Sequence, residues 1–267
     1  MSATVAFLGY ILCANRLSAF PVALSVFMLS AGAASLNHCQ DRNMDAMMER
    51  TRKRPIPSGD ISYTQALIQT IVLMISGFLL LIASSISIAP AIIGLFTIIL
   101  YNAIYTPFKK NNSPAFLPGV ISGMLPPSIG WLAAGGDFFH PQIWYIMILL
   151  AIWQVPHTWL IILSYPNDYK NAGIPTILDS ISEITVKKLL FLWVLAFAVS
   201  TLFSRLFILP DSRFLHRMIL GNAIVLSILF SFYTLRYCKK NSYRFLFHCL
   251  NASMLLLVLM IIMAVML

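Results

Sequence analysis

The sequence predicts an all-α, polytopic membrane protein of about nine transmembrane helices, organised as a single domain over residues 1–267. Three observations carry that expectation. Hydrophobic residues make up 59% of the chain and charged residues only 10%, where soluble domains sit near a half and a quarter. The mean hydropathy is +0.84. Apolar runs recur along the whole length, most of them close to the ~20 residues a helix needs to cross a bilayer.

In order, the expected spans are 2–14, 17–36, 62–84, 88–107, 115–134, 141–164, 186–208, 215–236 and 245–267. The first is shorter than a full crossing and reads as a short retained membrane helix. The second stops where a polar stretch begins at Asn37. The fourth and fifth contain Pro, Gly and Asn, which membrane helices tolerate when neighbouring helices cover the break. The sixth carries Pro156, where a helix loses a hydrogen bond and kinks. The remaining three are long apolar runs between polar breaks. The N-terminus lacks the basic opening of a secretory signal or transit peptide.

When loops are assigned alternately to two sides, fourteen of the 18 basic residues fall after spans two, four, six and eight. The positive-inside bias then places those loops in the cytoplasm and the C-terminus outside. The same bias explains the net charge of +9, and no nucleic-acid partner is expected. Most of the acids share that side, including Asp41, Asp45 and Asp168. Cys13, Cys39, Cys238 and Cys249 form no CxxC pair or metal-ligand spacing, so neither a disulfide framework nor a thiolate metal site is expected.

The stretch "NHCQDRNMDAMMERTRKRP", residues 37–55, gathers both signs of charge in one place. Asn37, Asp41 and Asp45 lie at i, i+4 and i+8, which on a helix puts them on one slowly drifting face. Two carboxylates so close repel unless a cation lies between them, and hard oxygen ligands with no paired His or Cys suit Mg²⁺. The alternative is a helix end whose acids pair with Arg42, Arg50 and Arg52 in water. Immediately downstream, Arg50, Arg52, Lys53 and Arg54 form a cationic cluster, and guanidinium forks fit phosphate oxygens. Carboxylates for a metal beside guanidinium groups for phosphate describe a diphosphate site.

Three further segments join it. "YTPFKK" puts Lys109 and Lys110 after the fourth span, either as phosphate ligands or as a topology anchor. "YPNDYKNAGIPT" puts Asp168 and Lys170 after the sixth, where Asp168 either orients a ligand or a second Mg²⁺, or serves as a turn acid. "WQVPHTW" places His157 inside an apolar run. An intramembrane His is a functional candidate, with a satisfied core residue as the alternative.

These motifs, in this order, resemble the UbiA-type intramembrane prenyltransferases, and within them the protoheme IX farnesyltransferase (heme O synthase) branch. Asn37, Asp41 and Asp45 meet the family's NxxxDxxxD. Met48, Arg50, Thr51, Arg54, Pro55 and Gly59 meet MxRTxxRPxxxG, and Tyr105, Thr106, Lys109 and Lys110 meet a YTxxxKR-like loop. "PGVISGMLPPSIGW", "WQVPHT" and "DYKNAGIP" follow in sequence order. Thr158 stands where the family has Phe, and Asp168 is a single acid where the quinone branch has two.

The resemblance implies transfer of a farnesyl group from farnesyl diphosphate to a vinyl group of heme b. It implies helices around a central intramembrane cavity open to the cytoplasmic side of a bacterial inner membrane. Asp41 and Asp45 would ligate Mg²⁺ with Asn37 supporting. Arg50, Arg54, Lys109, Lys110, Tyr105 and Lys170 would bind the diphosphate substrate. Asp168 would complete the polar cap as a catalytic group, and His157 would contact the heme. Partners implied are the lipid bilayer and heme A synthase or terminal-oxidase assembly factors. Two other readings stay open: prenylation of an aromatic quinone precursor, and a non-catalytic heme-binding assembly protein. A transporter would show inverted repeats with matched broken helices, and none is visible.

Overall fold

In hydrocarbon every backbone N–H and C=O must be satisfied within the structure, so apolar runs of this length fold as helices. The computed structural model describes residues 1–14, 18–111, 116–208, 213–235 and 240–266, which are helical with no strand among them. Cys238 lies outside the described residues, as do Arg16, Arg236 and Lys239 among the basic residues assigned to the two sides and Asp211 among the acids.

Among the described residues, seven helices are long and apolar enough to cross a membrane. They are α2 (Ala19–Met47), α4 (Tyr63–Ala83), α5 (Ala89–Phe108), α8 (Pro141–Ser164), α10 (Glu183–Phe207), α11 (Arg213–Leu235) and α12 (Lys240–Met266). Two of the nine expected spans do not form such helices. The first is α1 (Ser2–Cys13), of 12 residues. The fifth breaks at Leu125 into α6 (Phe116–Met124) and α7 (Pro126–Ala133). Pro126 and Pro127 carry no N–H for the preceding turn, so α6 cannot run on through them. Short helices α3 (Pro55–Ser58) and α9 (Pro166–Asn171) sit in the connections.

The chain divides into two compact units. The first contains Met1–Phe138 and Tyr165–Thr176. Within it α2 packs against α1 and α4, and α1 packs on α7. Ser62 caps α4 reciprocally, its hydroxyl accepting from Gln65 N while Gln65 Oε1 accepts from Ser62 N. The outer face of α4 is apolar and open, with Ile75 and Leu79 respectively 55% and 65% exposed. Such a face is stable against lipid rather than water.

The second unit contains Phe139–Ser164 and Ile177–Leu267, with α8 against α10 and α12, and α11 against α10 and α12. Phe197, Phe230, Leu246 and Leu250 are fully buried in it. Polar cross-links supplement that packing: Tyr145 Oη donates to Ser200 O at 2.9 Å, and Asn222 Nδ2 to Ser253 Oγ at 2.9 Å.

The α1–α7 crossing depends on two glycines. A Cβ on Gly9 would collide with the Pro127 carbonyl, and one on Gly130 with the Ala6 carbonyl. Both obstacles are backbone, so neither side chain can yield. Gly130→Ala is therefore expected to cost about 1–3 kcal/mol of stability, as overpacking does. Gly221→Ala, where nothing lies within 4 Å, is expected to leave stability unchanged or slightly raised. Thermal unfolding of the two variants in one detergent checks this, and equal melting temperatures would contradict the backbone contact.

Candidate active site

α2 has 29 residues and runs eleven beyond the expected end of its span, to Met47. At 1.5 Å per residue it is roughly 43 Å long, enough to carry its last turns to the edge of a ~30 Å hydrocarbon core. Asn37, Asp41 and Asp45 therefore stand on consecutive turns of one helix. All three are buried, at 7%, 4% and 5% exposure. Burial of two acids on one helix requires compensation, and the surrounding elements provide it.

Asn37 Nδ2 donates to Asp41 Oδ2 and to Thr106 Oγ1, both at 2.9 Å. Lys109 Nζ also donates to Asp41 Oδ2. Lys110 Nζ lies 3.6 Å from Asp41 Oδ1 and donates to the Gln40 carbonyl at 3.1 Å. Asp45 Oδ2 accepts from Arg54 Nη1 at 2.8 Å, and its backbone carbonyl accepts from Thr51 Oγ1 at 2.9 Å. Among the described residues the basic partners of the two acids are thus Arg54, Lys109 and Lys110, not Arg42, Arg50 or Arg52. The Arg42 guanidinium instead lies over the Tyr63 ring, 4.5 Å from its centroid. Asp41 Oδ1 remains buried with no hydrogen-bond partner among the described residues.

The lysines reach Asp41 because α5 is irregular. Its segment Ile99–Tyr105 is a π-helix, a geometry often found at functional sites. Thr106 Oγ1 donates back to the Tyr101 carbonyl at 2.8 Å, and Pro107 has no N–H to continue the regular ladder. Asn102, buried within this segment, donates to the Ala33 carbonyl at 3.0 Å. Tyr101 and Tyr105 stack with centroids 5.6 Å apart, and Lys109 Nζ lies 5.3 Å from the Tyr105 ring.

Asp168, on α9, is 6% exposed. It accepts backbone N–H bonds from Glu49 at 3.3 Å and Arg50 at 3.1 Å, one on each carboxylate oxygen. It thereby fastens the start of the basic loop. The Arg50 guanidinium lies 5.4 Å from the Tyr165 ring centroid. Tyr169 is half-buried beside them, and its partial removal from water raises its phenol above the usual value. Gly173 closes α9 with φ +66°, a conformation glycine adopts without strain. Lys170 is exposed on the same short helix, and the ion pairs of Asp41 and Asp45 do not include it.

His157 belongs to the second unit, on α8 after Pro156. Its Nδ1 lies 3.0 Å from Asn251 Oδ1, and its ring packs between Trp153 and Phe247 at centroid distances of 4.6 and 4.8 Å.

Asn102 and Gln40, which the motifs do not contain, support the site, as do Thr51 and Thr106, which the motifs contain without assigning them a role. An Asn within an apolar span and a Thr before Pro107 were the available signals. Their hydrogen bonds depend on the π turn, which no sequence periodicity announces. Among the described residues no three His, Cys, Asp or Glu side chains cluster as a metal cage. Mg²⁺ needs none, since one or two carboxylates with waters and phosphate oxygens serve it. The orphaned Asp41 oxygen beside Asp45's turn fits that sparse donor set.

The model of the UbiA prenyltransferase family matches residues 2–266. A protoheme IX farnesyltransferase of Geobacter sulfurreducens is 34% identical over 227 residues, covering 85% of this chain and 80% of that protein. One of Oleidesulfovibrio alaskensis is 32% identical over 257 residues, covering 95% and 88%. Among solved structures, a UbiA homolog from Archaeoglobus fulgidus bound to GPP and Mg²⁺ superposes with a TM-score of 0.69. It has 17% identity and covers 100% of this chain and 94% of that one. A digeranylgeranylglyceryl phosphate synthase gives 0.73 at 16% identity, covering 99% and 92%. At these identities the two structures speak for the fold alone.

The Asp168 contacts carry a direct expectation. Asp168→Ala strips the acceptor from two adjacent amides and frees the loop that carries Arg50, Arg52, Lys53 and Arg54. Limited trypsin digestion is expected to cut that loop at least tenfold faster in the variant, with Asp168→Asn intermediate. Equal cutting rates would show that the loop is held by other contacts.

Proposed function

The chain belongs to the UbiA prenyltransferase family, and from that membership we propose that it transfers a farnesyl group from farnesyl diphosphate to a vinyl group of heme b, making heme O. The observation that carries the reading is Asp41: a buried carboxylate held on one oxygen by Asn37 and Lys109, with the other oxygen left without a hydrogen bond. The protoheme IX farnesyltransferases at 32–34% identity support the choice of acceptor.

Asp41 and Asp45, with Asn37 supporting, would hold Mg²⁺, which when bound adds positive charge at the leaving diphosphate. Arg54, Lys109 and Lys110 already converge there as fixed cations, and preorganised charge of this kind lowers the barrier without reorganisation. Arg50, Tyr105 and Lys170 are proposed as further ligands at the rim of the diphosphate site, and Asp168 as the acid of the polar cap. The C1–O bond of the farnesyl group breaks with its electron pair leaving on the diphosphate. The vinyl π pair forms the new C–C bond, and the resulting cation is captured by water, which loses a proton to give the hydroxyethyl product. An apolar cavity within a single intramembrane domain would keep water from the allylic cation until that bond forms. His157 is proposed as the heme contact.

The basic-residue asymmetry supports placement in a bacterial inner membrane with these loops on the cytoplasmic side. Cysteines introduced at the exposed positions Lys53, Asn111 and Lys170 are expected to be labelled from that side alone. Labelling of any two from opposite sides would rule out one shared site.

The decisive assay incubates purified protein with heme b, farnesyl diphosphate and Mg²⁺ and identifies the products by mass. A heme bearing a hydroxyethylfarnesyl group is expected, its formation lost with a chelator. Asp41→Asn and Asp45→Asn are each expected to cost about a hundredfold or more in turnover while leaving a folded protein. Prenylation of a hydroxybenzoate with no heme product would overturn the heme reading in favour of a quinone precursor.

A further inference from the structure

His157 and Asn251 are the paired polar side chains at one crossing in the second unit, between α8 and α12. A polar group inside a membrane helix is costly unless its bonds are made. Asn251 makes them in two directions. Its Nδ2 donates to the Phe247 carbonyl, one turn earlier on α12, at 2.6 Å. That bond fixes the amide: the reversed orientation would set an oxygen acceptor against a carbonyl oxygen at the same distance, with no proton between them. Oδ1 is therefore the atom that faces His157 Nδ1 at 3.0 Å. An amide oxygen only accepts, so Nδ1 must carry the proton.

The consequence falls on the other nitrogen. In neutral imidazole with Nδ1 protonated, Nε2 holds the lone pair. Among the described residues Nε2 has no hydrogen-bond partner. The ring packs against Trp153 and Phe247, tilted 45° and 46° to them, and the Trp153 indole is itself tethered by Nε1 donating to the Leu250 carbonyl at 3.4 Å. A histidine serving only to fill the core would have both nitrogens satisfied. Here one is anchored and the other left basic, which is the pattern by which proteins prepare an imidazole to ligate a metal.

We infer that Asn251 is a positioning residue that locks His157 in the Nδ1–H tautomer and so presents the Nε2 lone pair to the iron of the heme acceptor. The ligation half of the inference rests on the heme reading above; the tautomer half does not.

The experiment has two arms, chosen to separate these halves. In the first, protein carrying ¹⁵N-labelled histidine and no heme is studied by NMR, with the His157 signals assigned by their loss in His157→Gln. Protonated Nδ1 and unprotonated Nε2 are expected, with the preference lost in Asn251→Leu and kept in Asn251→Asp, which retains an acceptor oxygen. In the second, ferrous heme b is titrated into the same variants and the iron–histidine stretch is followed by resonance Raman. Asn251→Leu is expected to weaken histidine-bound heme about 10–100-fold, the usual cost of losing such a partner. Asn251→Asp is expected to restore binding and to shift the stretch, because a carboxylate makes the imidazole more basic. An Nε2–H tautomer in the parent would overturn the inference outright. Parent-like tautomer and heme spectra in Asn251→Leu would overturn the role of Asn251 while leaving the heme reading intact. A parent with the expected tautomer and no histidine-bound heme would overturn the ligation half together with that reading.

Discussion

A carboxylate buried at the end of a membrane helix must be neutralised by something, and for Asp41 that something is Lys109, assisted by Asn37 from the turn above. Much of the first unit is arranged around this demand. α2 has to extend past the hydrocarbon to present Asp41 and Asp45. α5 has to deliver two lysines at its far end, and it does so through a π turn braced by Thr106 and Asn102. Removing one member of a buried ion pair typically costs about 3–5 kcal/mol, because the remaining charge is stranded. The α2–α5 packing and the charge pairing are therefore one constraint, satisfied by residues 68 apart in sequence.

The second acid obeys the same logic with a more local partner. Arg54 returns to Asp45 across nine residues, and Thr51 binds the Asp45 carbonyl. That return needs a tightly shaped loop. Asp168 shapes it from a distance, accepting from the amides of Glu49 and Arg50. Sequence reasoning had offered Asp168 as a ligand-orienting acid or as a turn acid. The structure gives its two oxygens to backbone amides, so its charge bears on the site through the loop it holds. Its proposed place in the polar cap is compatible with that, since the loop it fastens is the one that carries Arg54 to Asp45.

The helices were largely visible in the sequence because a bilayer imposes a length and a composition on every span. The limits of α4 and α8 agree with the apolar runs to within a residue or two. Failures came where chemistry overrides hydropathy. Residues 37–47 are too polar to be counted in a span, yet they continue α2, and their buried acids find basic partners that are only partly exposed. The run at 115–134 is apolar enough for a span, yet two adjacent prolines divide it. The acidic and basic motifs could be found from spacing, but which base meets which acid could not. Arg42 and Arg50 are nearest in sequence and turn to aromatic rings, while Lys109 arrives from another helix.

On the proposed function, the chain gathers both signs of charge in one stretch because a site for a metal diphosphate must be stable in the absence of its ligand. Carboxylates alone would repel one another, and cations alone would do the same; each would be costly to bury. Paired, they form a cluster that survives at low exposure with its groups already placed. On the proposed function, the incoming ligand also carries both signs, cation and diphosphate. Each side chain then exchanges one opposite charge for another rather than giving up a partner for nothing. Asp41 Oδ1, buried without a hydrogen bond among the described residues and 3.6 Å from Lys110 Nζ, is an atom where that exchange has no hydrogen bond to displace.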